Sequence, residues 1–292
     1  MKIPGKTSTR RRFIKSSSTV TAGAMAVPYL ITAPYAMIGC SSAPEEATSP
    51  EDGEFVSLFD GETLDGWHTN PTEIGHGTGG QWTIEDNAIV SRQDPPDSGN
   101  GGILLTDREY GDFELLVDIN PDWGPDSGIF LRSTERGECF QVYVDYHNDA
   151  IIGFIYGEGT GAYRTEPFRY DGVVENGELV DLAMRPYAPF EDYARPRYAC
   201  TSEEWRDAWR IGEFNTLRIR CEGEYPLITT WINGQKIVEF DAATHVHPDY
   251  DREAVRQMLG TSGHIALQVH GGTDWWPAGS EIRWRNIQIK EL

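Results

Sequence analysis

Hydrophobic and polar positions alternate with a period of two over much of the chain, and the alternation predicts strands. In the run Phe140–Tyr146, Phe140, Val142, Val144 and Tyr146 fall on one face and Gln141, Tyr143 and Asp145 on the other. The run His264–His270 likewise puts His264, Ala266, Gln268 and His270 on one face. Gly128–Arg132 reads as a third strand, with a Gly/aromatic segment from Gly153 to Tyr163 beyond it. Gln81–Val90 predicts a hairpin turning at Asp86-Asn87, two residues that tolerate positive φ. Gly102–Thr106 and Phe113–Ile119 are strands around the turn Tyr110-Gly111-Asp112. Towards the C-terminus, Phe214–Glu222 and Leu227–Trp231 precede a type I′ turn at Asn233-Gly234. Gln235–Phe240 returns from it, and Glu281–Lys290 closes the chain. Residues 186–211 read as an insertion with one helical signal, the capping box Thr201-Ser202-Glu203-Glu204. Trp205 and Trp209 follow at i, i+4 spacing, suited to packing over a sheet or to a lid beside a site.

This order of elements predicts an all-β fold, a two-sheet antiparallel β-sandwich with one short inserted helix. The 31 Gly, 17 Pro and 33 aromatic residues (9 Trp, 13 Tyr, 11 Phe) agree with many short strands joined by turns. A single domain is expected over residues 54–292, after an acidic linker at 41–53. Charge separates the N-terminus from the rest. Six of the 25 Lys and Arg lie before residue 40 and none of the 46 Asp and Glu does, in a chain of net charge −21. So acidic a body repels a phosphate backbone, and nucleic acid is not an expected partner.

Residues 1–40 read as an export signal. Thr9-Arg10-Arg11-Arg12-Phe13-Ile14-Lys15 resembles the twin-arginine motif, and a mildly apolar run, Ser16 to Ile38, follows. Met37-Ile38-Gly39-Cys40 resembles a lipobox, so Cys40 is the expected lipidation site. That predicts an exported, periplasmic or cell-surface lipoprotein held to the membrane by its lipid alone. Cleavage near Ala33 or Ala36 with free secretion is the alternative. Cys139, Cys200 and Cys221 remain, allowing one disulfide or none, and none has the spacing of a zinc site.

An ordered set of motifs carries a family resemblance: Phe55 to Trp67 (FVSLFDGETLDGW), Gln81 to Val90, Gly102 to Leu115 (GILLTDREYGDFEL) and Asp126 to Arg132 (DSGIFLR). Asn215 to Ile219, Trp231-Ile232-Asn233-Gly234 and Trp284 to Leu292 continue it. Together they resemble the 3-keto-disaccharide hydrolase domain family, long catalogued as a domain of unknown function. The resemblance implies a concanavalin-like jelly roll and a glycoside substrate already oxidised to a ketone at C3. The C2 proton is then acidic, and its removal lets the glycosidic oxygen leave C1 by β-elimination, after which water can add back. A separate sugar oxidoreductase must supply that substrate. Glu138, Gln141 and Asp145 depart from the family spacing, which moves Glu138 off the Gln141 face unless a bulge intervenes.

Such chemistry needs a base, a stabiliser for the enolate oxygen and an acid for the leaving group. Asp145 and His270 are the candidate bases, Arg132 the candidate cation for the enolate, and Glu138 or Glu158 the candidate acid. Gln141 and Gln268 are placed to bind sugar hydroxyls, and Tyr143, Tyr156 and Trp275 to stack on sugar faces. No cofactor is expected. His147 with Asp145 and Asp149 offers oxygen and nitrogen ligands for a divalent metal, although such a cluster is more often a solvated turn. Two alternatives stay open: a carbohydrate-binding lipoprotein without activity, and an ordinary two-carboxylate glycosidase.

Overall fold

The computed structural model describes residues 53–70, 72, 75–187 and 195–292. The expected signal 1–40 with Cys40, and the linker up to residue 52, lie outside the described residues. The strands run in chain order as β1 (Val56–Ser57), β2 (Trp67–Thr69), β3 (Gln81–Glu85), β4 (Ala88–Arg92), β5 (Gly102–Thr106), β6 (Phe113–Pro121) and β7 (Gly128–Ser133). Then come β8 (Cys139–Val144), β9 (Ile152–Glu158), β10 (Phe168–Glu175), β11 (Glu178–Pro186), β12 (Tyr198–Ala199) and the helix α1 (Ser202–Ala208). The chain ends with β13 (Asn215–Glu222), β14 (Leu227–Ile232), β15 (Gln235–Asp241), the helix α2 (Arg252–Leu259), β16 (His264–Val269) and β17 (Ile282–Glu291).

Two large antiparallel sheets result. One has the order β12-β15-β14-β13-β6-β17-β4-β3, with β1 on β17, and the other β2-β5-β16-β7-β8-β9. β10 and β11 form a hairpin of their own. The all-β two-sheet expectation is met. Both predicted tight turns adopt left-handed backbone, Asp86 and Asn87 at φ 50° and 60°, Asn233 and Gly234 at 49° and 88°.

Alternation explains the layering. Leu115, Val117 and Ile119 of β6 and Leu217 and Ile219 of β13 share one buried cluster with Ile129, Leu131, Phe140 and Val142 of the smaller sheet. The sheets also touch where the Phe140 and Phe240 rings lie 6.2 Å apart and where Thr230 Oγ1 donates to Gly153 O at 2.6 Å. A second, smaller cluster (Ile103, Leu105, Phe130, Cys139 and Ala266) sits on the other face of the six-stranded sheet. That sheet is therefore covered on both faces, and a site built on its outer face stands on a packed floor.

α1 has the predicted capping box, Thr201 Oγ1 accepting from Glu204 N and Glu204 from Thr201 N. Its tryptophans take the packing alternative. Trp205 is fully buried, donates to Ile152 O at 2.9 Å and stacks on Trp209 at 5.6 Å. α2 was not expected. It rests on only two buried apolar residues, Val255 and Leu259, too few for a clear helical period. Cys139, Cys200 and Cys221 are free and buried.

Arg132 departs from the sequence expectation. Its backbone is left-handed at φ 50°, and the β16–β7 register shifts beside it between His264 and Ala266. A bulge of this kind re-aims a side chain. The guanidinium is 1% exposed and donates to Gly111 O at 3.0 Å, Gly223 O at 2.9 Å and Asp112 Oδ1 at 2.8 Å. It ties the turn before β6 to the turn after β13 and cannot serve as the enolate's cation.

Two stability effects follow. Trp205→Ala should lower the unfolding free energy by about 3–5 kcal/mol in urea titration, through loss of a large buried side chain. Arg132→Met should cost about 3 kcal/mol in the same measurement, because three hydrogen bonds that tie the two turns together are lost at about 1 kcal/mol each, while ligand binding on the outer face of the six-stranded sheet stays unchanged.

Candidate functional site

A cavity of about 430 Å³ opens on that outer face. β8 supplies Gln141 and Tyr143, and Asp145 directly follows it; β16 supplies Gln268, with His270 just past its end; β9 supplies Tyr156 and Glu158. Trp275 lines the rim, its ring 6.1 Å from that of His270 and 5.8 Å from that of His147. Residues that alternation placed on one face of two strands thus meet, because β7 lies between β16 and β8 and begins with a glycine. A Cβ on Gly128 would fall 2.4 Å from Gln141 Nε2, so a glycine is what lets Gln141 lie across β7.

The buried polar groups are joined in a chain. Gln141 Nε2 donates to Ser127 O at 3.3 Å and to Gln268 Oε1 at 3.2 Å. Gln268 Nε2 lies 3.3 Å from His76 Nδ1, which makes His76 Nδ1 the acceptor. His76 Nε2 then carries the hydrogen and faces Glu158 Oε1 at 3.9 Å. Burial, then the nearby His270, lowers the His76 pKa to about 4, so His76 is neutral at pH 7. His270 Nδ1 donates to Gly271 O at 2.5 Å, which leaves Nε2 as its lone-pair nitrogen.

The carboxyl groups are held towards their neutral forms. Burial, and after it the Asp126 charge, pushes Asp145 well above the usual carboxylate range, although Ser127 N donates to its Oδ1 at 3.2 Å. Burial also raises Glu158, against the pull of His270. Tyr143 and Tyr156 stack at 5.5 Å, and Arg164 donates to the Tyr143 hydroxyl at 2.5 Å.

Nine of the ten nominated cleft residues keep a place in or beside this cavity, and Arg132 does not. Eight line it: Asp145, His270, Glu158, Gln141, Tyr143, Tyr156, Gln268 and Trp275. Glu138 stops short of the lining. It bonds Thr134 Oγ1 and acts on the site only by its charge, which helps to raise Glu158. The strand partner of Glu158 is Cys139, the neighbour of Glu138. Asp126, Arg164, Glu166 and Arg169 line the cavity without having been nominated. Asp126 shares the parity of Gly128 at the start of β7, a signal the sequence carried. His76 stands in a glycine-rich loop and Arg164 in an irregular connection, where no period points to a face, while Arg169 is the second residue of β10, a strand the sequence reading did not assign.

The candidate metal set, which the sequence favoured less than a solvated turn, also changes. Asp149 is drawn away to Arg169 and Arg185. Asp126, Asp145 and His147 instead bring one ligand atom each within 4.8 Å of one another, the one such cluster among the described residues. This donor set fits a hard divalent cation. It equally fits two close carboxyl groups sharing a proton.

Comparison with known proteins adds three findings. A 3-keto-disaccharide hydrolase of Bacteroides thetaiotaomicron is 32% identical over 93 residues, which is 30% of this chain and 30% of that protein. A Parabacteroides distasonis crystal structure, provisionally described as a glycosyl hydrolase, has 21% identity and a TM-score of 0.47, covering 82% of this chain and 100% of its own. A β-1,3-1,4-glucanase from a mouse hindgut metagenome has 12% identity and a TM-score of 0.38, covering 79% and 96%. Neither structural likeness bears on activity. The model of the 3-keto-alpha-glucoside-1,2-lyase-like domain matches residues 54–290. Because that match runs the length of the sandwich, cleft included, the chain belongs to the 3-keto-alpha-glucoside-1,2-lyase-like domain family.

Proposed function

We propose that this cleft breaks the glycosidic bond of 3-keto-glycosides by removing the proton from C2. The observation that supports it most is the convergence of His270, Asp145 and Glu158, from three separate strands, in one cavity of a chain of this family. His270 Nε2 holds a lone pair because Nδ1 is committed to Gly271 O, and it takes the C2 proton. The electron pair of that C–H bond forms the enolate across C2 and C3. Asp145, pushed well above the usual carboxylate range by burial and then by the Asp126 charge, donates a hydrogen bond to the C3 oxygen. A neutral buried carboxylic acid is an effective donor to an enolate, and here it takes the part expected of Arg132. The enolate then collapses to the ketone and the C1–O bond breaks. Glu158, also raised by burial, protonates the departing oxygen. The product is a 2-hydroxy-3-keto-glycal. Water then adds its hydroxyl at C1 and gives its other proton to the Glu158 carboxylate, while His270 returns its proton to C2, which completes net hydrolysis and restores both groups. Gln141 and Gln268, already bonded to each other, present their remaining polar positions to sugar hydroxyls.

The export signal, the lipid anchor on Cys40 and the upstream oxidoreductase belong to the same proposal, since a ketone at C3 has to be made by oxidation. No helix among the described residues is long and apolar enough to cross a membrane. An ordinary two-carboxylate glycosidase fits less well, because burial raises Asp145 and Glu158 together instead of parting an ionised carboxylate from a protonated one.

Wild-type protein incubated with 3-keto-trehalose in D₂O should release 3-keto-glucose or 2-hydroxy-3-keto-glucal and exchange the C2 hydrogen. His270→Ala should slow both by about 10²–10⁴-fold; cleavage without exchange would sink the mechanism. Glu158→Gln should cost a similar factor with a sugar leaving group and far less with a nitrophenolate, which needs no proton. The value of kcat/KM should fall at alkaline pH as Asp145 and Glu158 lose their protons, above the ordinary carboxylate range. Dialysis against a chelator should leave turnover intact. A loss restored by a divalent cation would assign Asp126, Asp145 and His147 to a metal instead.

A further inference from the structure

The catalytic groups proposed above occupy one part of the cleft, and a second polar device stands at its far side. The sheet runs β16, β7, β8, β9. Beyond β9 the chain pairs again with its outer edge, through Gly157 N to Tyr163 O at 3.1 Å and a bridge between Tyr156 and Arg164. At one inter-strand spacing per step, Gln268 on β16 and the Arg164–Glu166 segment are separated by about 19 Å. That is room for two pyranose rings in line.

Glu166 at this far side is fully buried, yet it lines the cavity. Its Oε1 accepts from Arg169 Nη2 at 2.8 Å. Arg169, 9% exposed, also lines the cavity and is fixed on its other sides. Nη1 donates to Asp149 O at 3.2 Å, and the guanidinium lies 3.7 Å over the Tyr187 ring. A guanidinium and a carboxylate normally close as a fork with two parallel hydrogen bonds. Here one arm is made. Glu166 Oε2 and Arg169 Nε are both buried and without a hydrogen-bond partner among the described residues. Leaving such a donor and acceptor unpaired is costly unless something completes them. An anion at that place would be repelled by Glu166 and a cation by Arg169. A hydroxyl donates to Oε2 and accepts from Nε at once, and two adjacent hydroxyls can take one each.

We propose that Glu166 and Arg169 form a subsite that reads hydroxyl groups on the ring leaving from C1, and so select the leaving group. The proposal rests on the 3-keto-glycoside reading for the placement of the other ring. Arg164, which donates to Tyr143 and lies 5.0 Å over Tyr156, joins this subsite to the catalytic part of the cleft.

Two substrates with the same 3-keto-glucosyl group test it: 3-keto-trehalose, whose leaving group is a sugar, and the methyl 3-keto-glucoside, whose leaving group carries no further hydroxyl. Glu166→Gln and Arg169→Lys should lower kcat/KM for the disaccharide by about 10- to 100-fold, mainly through KM, and change it far less for the methyl glycoside. Monodeoxy leaving rings should show the mutant effect disappearing at the position that is read. Equal losses on both substrates, with thermal melts confirming folded protein, would overturn the proposal, as would no loss on either; the pair would then be structural or would hold water only. If wild-type protein turns over neither substrate, the catalytic reading fails, and calorimetry with the same disaccharide decides the subsite separately. Binding weakened by Glu166→Gln supports it, and binding that is absent or indifferent to the substitution overturns it.

Discussion

Polar groups that leave water must find partners, and the six-stranded sheet carries this constraint on a face covered by protein. Gln141 and Gln268 are both almost fully buried there. They satisfy each other, the backbone of Ser127 and the ring of His76 in one continuous chain. That chain fixes the orientation of both amides and the tautomer of His76, and it needs β7 to carry a glycine where Gln141 crosses. Without it, the outer face of the sheet would be a set of mobile polar side chains. With it, the face is a preorganised wall.

The same burial decides the acid–base character of the cleft. Asp145 and Glu158 are raised mainly by loss of solvent, and Asp126 adds its charge to the effect at Asp145. Carboxyl groups held neutral can donate protons and hydrogen bonds, which suits β-elimination next to a ketone better than the paired ionised and neutral carboxyls of ordinary glycoside cleavage. His270 differs because the Gly271 carbonyl fixes its tautomer. Glu166 and Arg169 show burial with one arm of a fork left open, a geometry that a hydroxyl-bearing ligand completes.

Much of this was legible in the sequence, for a simple reason. A strand has an exact period of two, so Gln141, Tyr143 and Asp145, and likewise Gln268 and His270, could be assigned to a face from spacing alone. The tight turns were legible because Asp86-Asn87 and Asn233-Gly234 are residue types that adopt left-handed backbone. Where the period is interrupted, the reading failed. At Arg132 a left-handed residue beside a register shift sends the side chain to the turns of the opposite sheet. His76 and Arg164 sit outside regular strands, where no period exists to read, and Arg169 lies in β10, whose hairpin stands apart from the two large sheets.

By itself, then, the sequence determined the class of fold, the two faces of each regular strand and the family to which the motifs point, because these depend on local alternation and turn chemistry. Only the tertiary structure decided which strands stand beside one another, and hence that a loop histidine closes the glutamine chain and that Asp126 rather than Asp149 meets Asp145 and His147. It also decided that Arg132 holds the sandwich together rather than serving the cleft. Those outcomes depend on contacts between residues far apart in the chain and on how deeply each group is buried, and neither quantity is present in any local stretch of sequence.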